Sequence, residues 1–132
     1  MKKFDIACVI DDDEIYTFTV KRIINNSEIA HKTLFFPNGK LALDFFTEYV
    51  TQTDSLPDLI LLDINMPGVD GTEVLAYLRR EPRLIPVPVF MITSDDQPET
   101  RKKVMKLGAT AMLLKPATID VLEQALKKAK LL

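Results

Sequence analysis

Five short apolar runs alternate along this chain with five longer segments of helical period, and that alternation constrains the fold more than any other feature. The runs occupy residues 4–10, 32–36, 59–62, 87–92 and 111–114. Most are continuously apolar rather than apolar–polar alternating, which marks strands covered on both faces. Between them, Tyr16, Val20, Ile23 and Ile24 share one helical face, as do Ile119, Leu122, Leu126 and Ala129. Residues 38–51, 71–80 and 97–107 fill the other three helical slots. Gly108 suits a helix C-terminus, and Gly39 and Gly68 mark turns. The pattern predicts an α/β fold: a parallel sheet with right-handed crossovers and helices on both faces. No low-complexity linker interrupts it, so residues 1–132 are expected to form one domain whose last helix runs to Leu132.

Composition removes several function classes. A net charge of −2 gives the domain as a whole no attraction for nucleic acid or anionic lipid. The single cysteine, Cys8, lies inside the first apolar run and reads as a small core residue in a reducing compartment. The start "MKKFDIACVIDDD" has the lysines of a signal peptide, but its apolar stretch is short, contains Asp5 and ends in acids. No segment is long enough to span a bilayer, and a cytoplasmic location is expected.

In open α/β sheets, ligands bind outside the carboxyl ends of the strands. Strand one ends there in Asp11, Asp12 and Asp13, strand three in Asp63, strand four in Thr93 and Ser94, and strand five in Lys115. Like charges about 4 Å apart repel by roughly 4 kcal/mol at an effective dielectric near 20, so the acids need a positive partner. Carboxylates without histidine or cysteine suit a hard, oxygen-seeking divalent cation, Mg²⁺ first. His31, the only histidine, falls just before strand two, away from this end. Asp63 closes "DLILLD", the most apolar run, where a carboxylate can act as a nucleophile and form an aspartyl-phosphate. Lys115 offers a compact positive charge and Thr93 a hydroxyl donor for a phosphoryl oxygen.

Each residue also has a plainer role. Asp13 is most simply the N-cap of a helix starting near Glu14. Asp63 could open the turn "NMPGVDG", and Ser94, Asp95 or Asp96 could cap the next helix. Lys115 taken alone would be a solvated lysine. Their coincidence at one sheet end is what the plain roles leave unexplained.

The segments "ACVIDDDE", "LPDLILLDINMPGVDG", "PVFMITS" and "LLKP" resemble the receiver domains of two-component response regulators, and the resemblance spans essentially the whole chain. It implies a flavodoxin-like sheet in the order 2-1-3-4-5. It implies that Asp63 takes a phosphoryl group from a histidine kinase or histidine phosphotransfer protein, the domain being a signalling switch rather than a metabolic enzyme. By the same resemblance, Asp11 and Asp12 hold Mg²⁺ (or Mn²⁺) with Asp63, and Asn65 adds a backbone carbonyl. Thr93 and Ser94 are switch and phosphoryl contacts, Lys115 touches the phosphoryl group, and Pro116 follows a cis peptide bond. Asn65 and Asp95 occupy positions that tune the lifetime of the modified state. A downstream protein is expected on the face of the fourth helix, fifth strand and fifth helix. Two positions depart from the pattern: Met112 stands where relatives carry an aromatic switch residue, and Ala117 where an aromatic often follows "KP". No effector domain follows the last helix in this sequence.

Three rivals are weaker. A haloacid-dehalogenase-type phosphatase could use Asp11-x-Asp13, but it leaves Asp63 unexplained and has no acidic pair where "LLKP" stands. A flavin carrier would set three aspartates against its own phosphate. A receiver-like module that no longer takes phosphate would not need every acceptor and metal position filled.

Overall fold

The computed structural model describes residues 4–132; Lys2 and Lys3 of the signal-peptide-like start lie outside them. Five strands, β1 (Phe4–Ile10), β2 (Ala30–Phe36), β3 (Leu59–Asp63), β4 (Val89–Thr93) and β5 (Ala111–Leu114), form one parallel sheet in the order β2-β1-β3-β4-β5. The helices are α1 (Glu14–Ser27), α2 (Gly39–Tyr49), α3 (Gly71–Leu78), α4 (Pro98–Leu107) and α5 (Ile119–Lys128). This is the α/β architecture that the apolar pattern predicts, in the strand order that the family resemblance implies.

Period-two alternation divides the core. Cys8, Ile10, Ile60, Leu62, Val89, Met91 and Met112 pack with Phe46 of α2, Leu75 of α3 and Val104 of α4. Ala7, Val9, Leu59, Leu61, Phe90 and Ile92 pack on the other face with Val20 and Ile24 of α1 and Leu122 and Leu126 of α5. Central strands apolar on both faces are what a doubly covered parallel sheet requires. Fully burying such side chains contributes about 1.5–3 kcal/mol each, set against the entropy of ordering the chain.

Helix ends follow local chemistry. Asp13 caps α1 by accepting from the Tyr16 N–H, Asn38 caps α2 through Leu41, and Asp70 caps α3 through Thr72 and Glu73. Gly108 ends α4 at φ 105°, a left-handed conformation that glycine adopts without a Cβ penalty.

Several boundaries differ from the sequence reading. The second strand starts at Ala30, so His31 lies within β2, still at the end remote from the acids. The fourth starts at Val89 because Pro86 and Pro88 cannot donate to a ladder, and residues 84–87 instead form turns bonded to Arg79. The α3 helix stops at Leu78, and α5 stops at Lys128 rather than reaching Leu132. Lys130 turns left-handed at φ 62°, while Leu131 and Lys130 donate to the Leu126 and Lys127 carbonyls. Gly39 is a packing glycine rather than a turn residue: a Cβ there would strike the Val69 carbonyl oxygen. The cap of α4 is Gln97, without a side-chain bond, rather than Ser94, Asp95 or Asp96.

Candidate functional site

Register brings the strand ends level. Ile10 pairs with Leu62, Asp63 with Ile92, and Thr93 with Leu114, so Asp11, Asp63, Thr93 and Lys115 emerge side by side. Main-chain bonds continue the alignment past the strands, from Asp11 N–H to the Phe36 carbonyl and from Lys115 N–H to the Thr93 carbonyl. The edge that the sequence selected is therefore one continuous rim.

Carboxylate oxygens of Asp11, Asp12 and Asp63 all lie within 4.8 Å of one another. Asp11 and Asp63 are buried while Asp12 is exposed, so the cluster opens to solvent on one side. Lys115 Nζ stands 2.8 Å from Asp11 Oδ2 and 3.4 Å from Asp63 Oδ2. The other Asp11 oxygen accepts from the Asp13 N–H at 2.9 Å. Burial and the Asp11 charge push the Asp63 carboxyl up to about 7, against the pull of Lys115. Burial works to lower Lys115, and the Asp11 hydrogen bond and charge outweigh it and raise it. The site is thus poor in positive charge: three acids share one ammonium. Compact all-oxygen donors of this kind fit a hard divalent ion and not a soft one.

Other expected residues take varied places. Thr93 is fully buried and its Oγ1 accepts from the Asp95 N–H at 3.1 Å, which ties that hydroxyl to the following loop. Ser94 is exposed and lines, with Lys115 and Pro116, a cleft of about 680 Å³. Asn65 is exposed two residues beyond Asp63. The Asp95 carboxylate faces the first turn of α4 rather than the acids, accepting from Gln97 N–H and the Thr100 hydroxyl, which hold it below the ordinary range. The Lys115–Pro116 peptide is cis. Met112 is buried on the side of α4 and Ala117 on the side of α1 and α5. Cys8 is buried in the core, and burial pushes its thiol up.

The family model of the response regulator receiver domain matches residues 7–127. The chain belongs to that family. As a receiver domain it is part of two-component signalling, in which such domains bind divalent metal, meet histidine kinases and act as switches toward downstream effectors. The receiver is 26 % identical over 125 residues, 95 % of its length and 81 % of the relative's, to a probable methanogenesis regulatory protein, FilR2, of Methanothrix harundinacea. It is 30 % identical over 96 % of its length to a protein-glutamate methylesterase/protein-glutamine glutaminase of Trichodesmium erythraeum, of which it spans only 34 %. Among solved structures, the Mn²⁺-bound form of response regulator Rcp1 superposes with a TM-score of 0.77 at 26 % identity, over 92 % of this chain and 88 % of that one.

Two residues at the site were not legible as such in the sequence. Tyr16 reads as one more apolar residue on the inner face of α1, yet its ring lies 4.7 Å from Lys115 Nζ. Gly71 reads as a helix start, yet a Cβ there would collide with the Asp63 carbonyl oxygen. The only hints are an aromatic in the first turn after an acidic strand end and the glycine of "VDG".

Proposed function

We propose that this receiver accepts a phosphoryl group on Asp63 from a phosphohistidine of a histidine kinase or phosphotransfer protein. The observation that carries the reading is the buried Asp63 carboxylate beside Lys115 Nζ and within reach of the Asp11 and Asp12 oxygens. In an in-line transfer an Asp63 carboxylate oxygen forms the new O–P bond while the P–N bond to the donor imidazole breaks. The electron pair stays on that nitrogen, which then takes a proton. Positioning and charge neutralisation do most of the catalysis. Asp11, Asp12, Asp63 and the Asn65 main-chain carbonyl would hold Mg²⁺, or Mn²⁺ in its place, which when bound neutralises charge on the phosphoryl oxygens. Lys115 steadies the phosphoryl group from the β5 side, and the Thr93 hydroxyl, with Ser94 on the same loop, answers it from β4. Asn65, two residues past Asp63, and Asp95, tied by its N–H to Thr93, set how readily water attacks the group.

Incubation with acetyl phosphate, with and without Mg²⁺, followed by peptide mapping tests the reading. Label is expected on the Asp63 peptide and only with a divalent ion. Label on Asp11 would favour phosphatase-like chemistry instead.

The proposed output face comprises α4, β5 and α5. Arg101, Lys102, Lys103 and Lys106 on α4 and Lys127, Lys128 and Lys130 at the end of α5 are all exposed. Between these helices Met105, Met112, Leu113, Val121 and Ala125 line a groove of about 850 Å³. Basic rims over an apolar floor suit an acidic protein partner. Met112 is unbranched and adapts by rotamer change, so activation moves mainly the loop between β4 and α4. Methyl spectra are expected to show a small Met112 shift on adding Mg²⁺ and beryllofluoride; a large two-state displacement, with activation lost in Met112→Ala, would contradict this.

A further inference from the structure

We propose that Tyr16 is a positioning residue for phosphoryl transfer, its ring face holding the Lys115 ammonium toward the two buried carboxylates. The proposal rests on the reading of Asp63 as phosphoacceptor. Lys115 directly follows β5 and carries its charge on a flexible four-carbon stem, and a lone ammonium has no preferred direction. Three groups fix it here: Asp11 Oδ2 at 2.8 Å, Asp63 Oδ2 at 3.4 Å and the Tyr16 ring centroid at 4.7 Å. The first two belong to the acidic cluster, so their hold on the ammonium changes with whatever that cluster binds. The ring does not change, because a cation over an aromatic face is held by the ring quadrupole.

The placement of Tyr16 comes from the fold. It sits in the first turn of α1, where its N–H donates to the capping Asp13 carboxylate at 3.1 Å. The cap that starts the helix therefore aims the ring. Its buried hydroxyl lies beside the Ala117 main chain, so a variant that keeps the ring and removes the hydroxyl separates the two contributions. Tyr16 and Lys115 also line the same cleft beside Pro116.

The test compares acetyl phosphate labelling rates at saturating Mg²⁺ in Tyr16→Leu and Tyr16→Phe. Leucine keeps apolar bulk without a π face, and its rate is expected to fall about 3- to 30-fold. Phenylalanine should restore the rate. The Mg²⁺ dissociation constant should stay within about twofold of wild type in both, because the ring supplies no oxygen ligand and its contact is with the lysine. In a Lys115→Ala background, Tyr16→Leu should have no further effect on the rate. The Lys115 ε-methylene protons should carry an upfield ring-current shift in wild type and Tyr16→Phe that disappears in Tyr16→Leu.

A Tyr16→Leu rate equal to wild type would overturn the proposal. So would an equal loss in Tyr16→Phe, or the same loss with and without Lys115. Wild type left unlabelled at Asp63 would instead overturn the phosphoacceptor reading on which it stands, so the two failures are distinguishable.

Discussion

Asp63→Asn is expected to abolish phosphoryl labelling and, in the same protein, to raise the stability of the metal-free fold. The first effect follows from chemistry: a carboxamide oxygen is a poor nucleophile and forms no acyl phosphate, so labelling should drop at least about a hundredfold. The second follows from electrostatics. Burial and Asp11 hold the folded-state Asp63 carboxyl up at about 7, whereas an unfolded aspartate titrates near about 4. Between these values the folded state binds more protons than the unfolded one. Stability of the metal-free protein therefore falls as pH rises from about 4 to about 7. Asparagine removes that penalty but also one partner of Lys115, leaving a net gain of about 1–2 kcal/mol at pH 8 and little change at pH 4. Urea unfolding in EDTA at the two pH values measures it. A variant less stable than wild type at pH 8 would mean that Lys115 already neutralises the cluster.

Arg79→Ala is expected to destabilise the protein by about 2–4 kcal/mol without touching the acidic site. Arg79 follows α3, and its guanidinium donates to four carbonyls. Nε reaches Gly108 at 2.8 Å, and Nη1 reaches Val87 at 2.8 Å, Ile85 at 3.2 Å and Leu84 at 3.3 Å. One half-buried side chain thus ties the turn before β4 to the end of α4. Burial lowers its affinity for the proton, yet a guanidinium remains charged throughout the working pH range. Truncation leaves several carbonyls without their donor. Arg79→Lys should recover only part of the loss, because a point-like ammonium cannot span both segments. Urea midpoints at unchanged slope are the measurement, and a loss below about 0.5 kcal/mol would show that water replaces the guanidinium.

The alternation of strands and helices and the acidic rim were legible because they rest on strong local signals, whereas the strand order was legible only through the family resemblance. A continuous apolar run such as residues 59–62 marks a strand covered on both faces, and an acid directly behind it falls at the strand end. Arg79 was not legible, because its partners lie between five and 29 residues away and arginines after helices are common. The early end of α5 was missed because nothing in "KKAKLL" announces a left-handed lysine; Lys130 adopts it where glycine is usual. Asp95 does not cap α4, because it reaches forward to Gln97 and Thr100 instead of serving as the first helical flank. Tyr16 was read for its hydrophobicity, whereas its ring face meets a cation from a strand roughly a hundred residues further on.

The contact between Gly71 and the main chain of Asp63 has a mechanical consequence. Asp63 is laddered to β1 and β4 through β3, and the start of α3 closes directly behind its carbonyl, with Gly71 N–H bonded to Ile64 at 2.8 Å. The proposed acceptor therefore has no room to recoil. Any bulk or charge added to its side chain must be taken up by parts that can travel: Lys115 on its flexible stem and the loop running from Thr93 to Gln97. In the proposed reaction Asp63 is the anvil, and displacement is expected to leave the site toward β4 and α4.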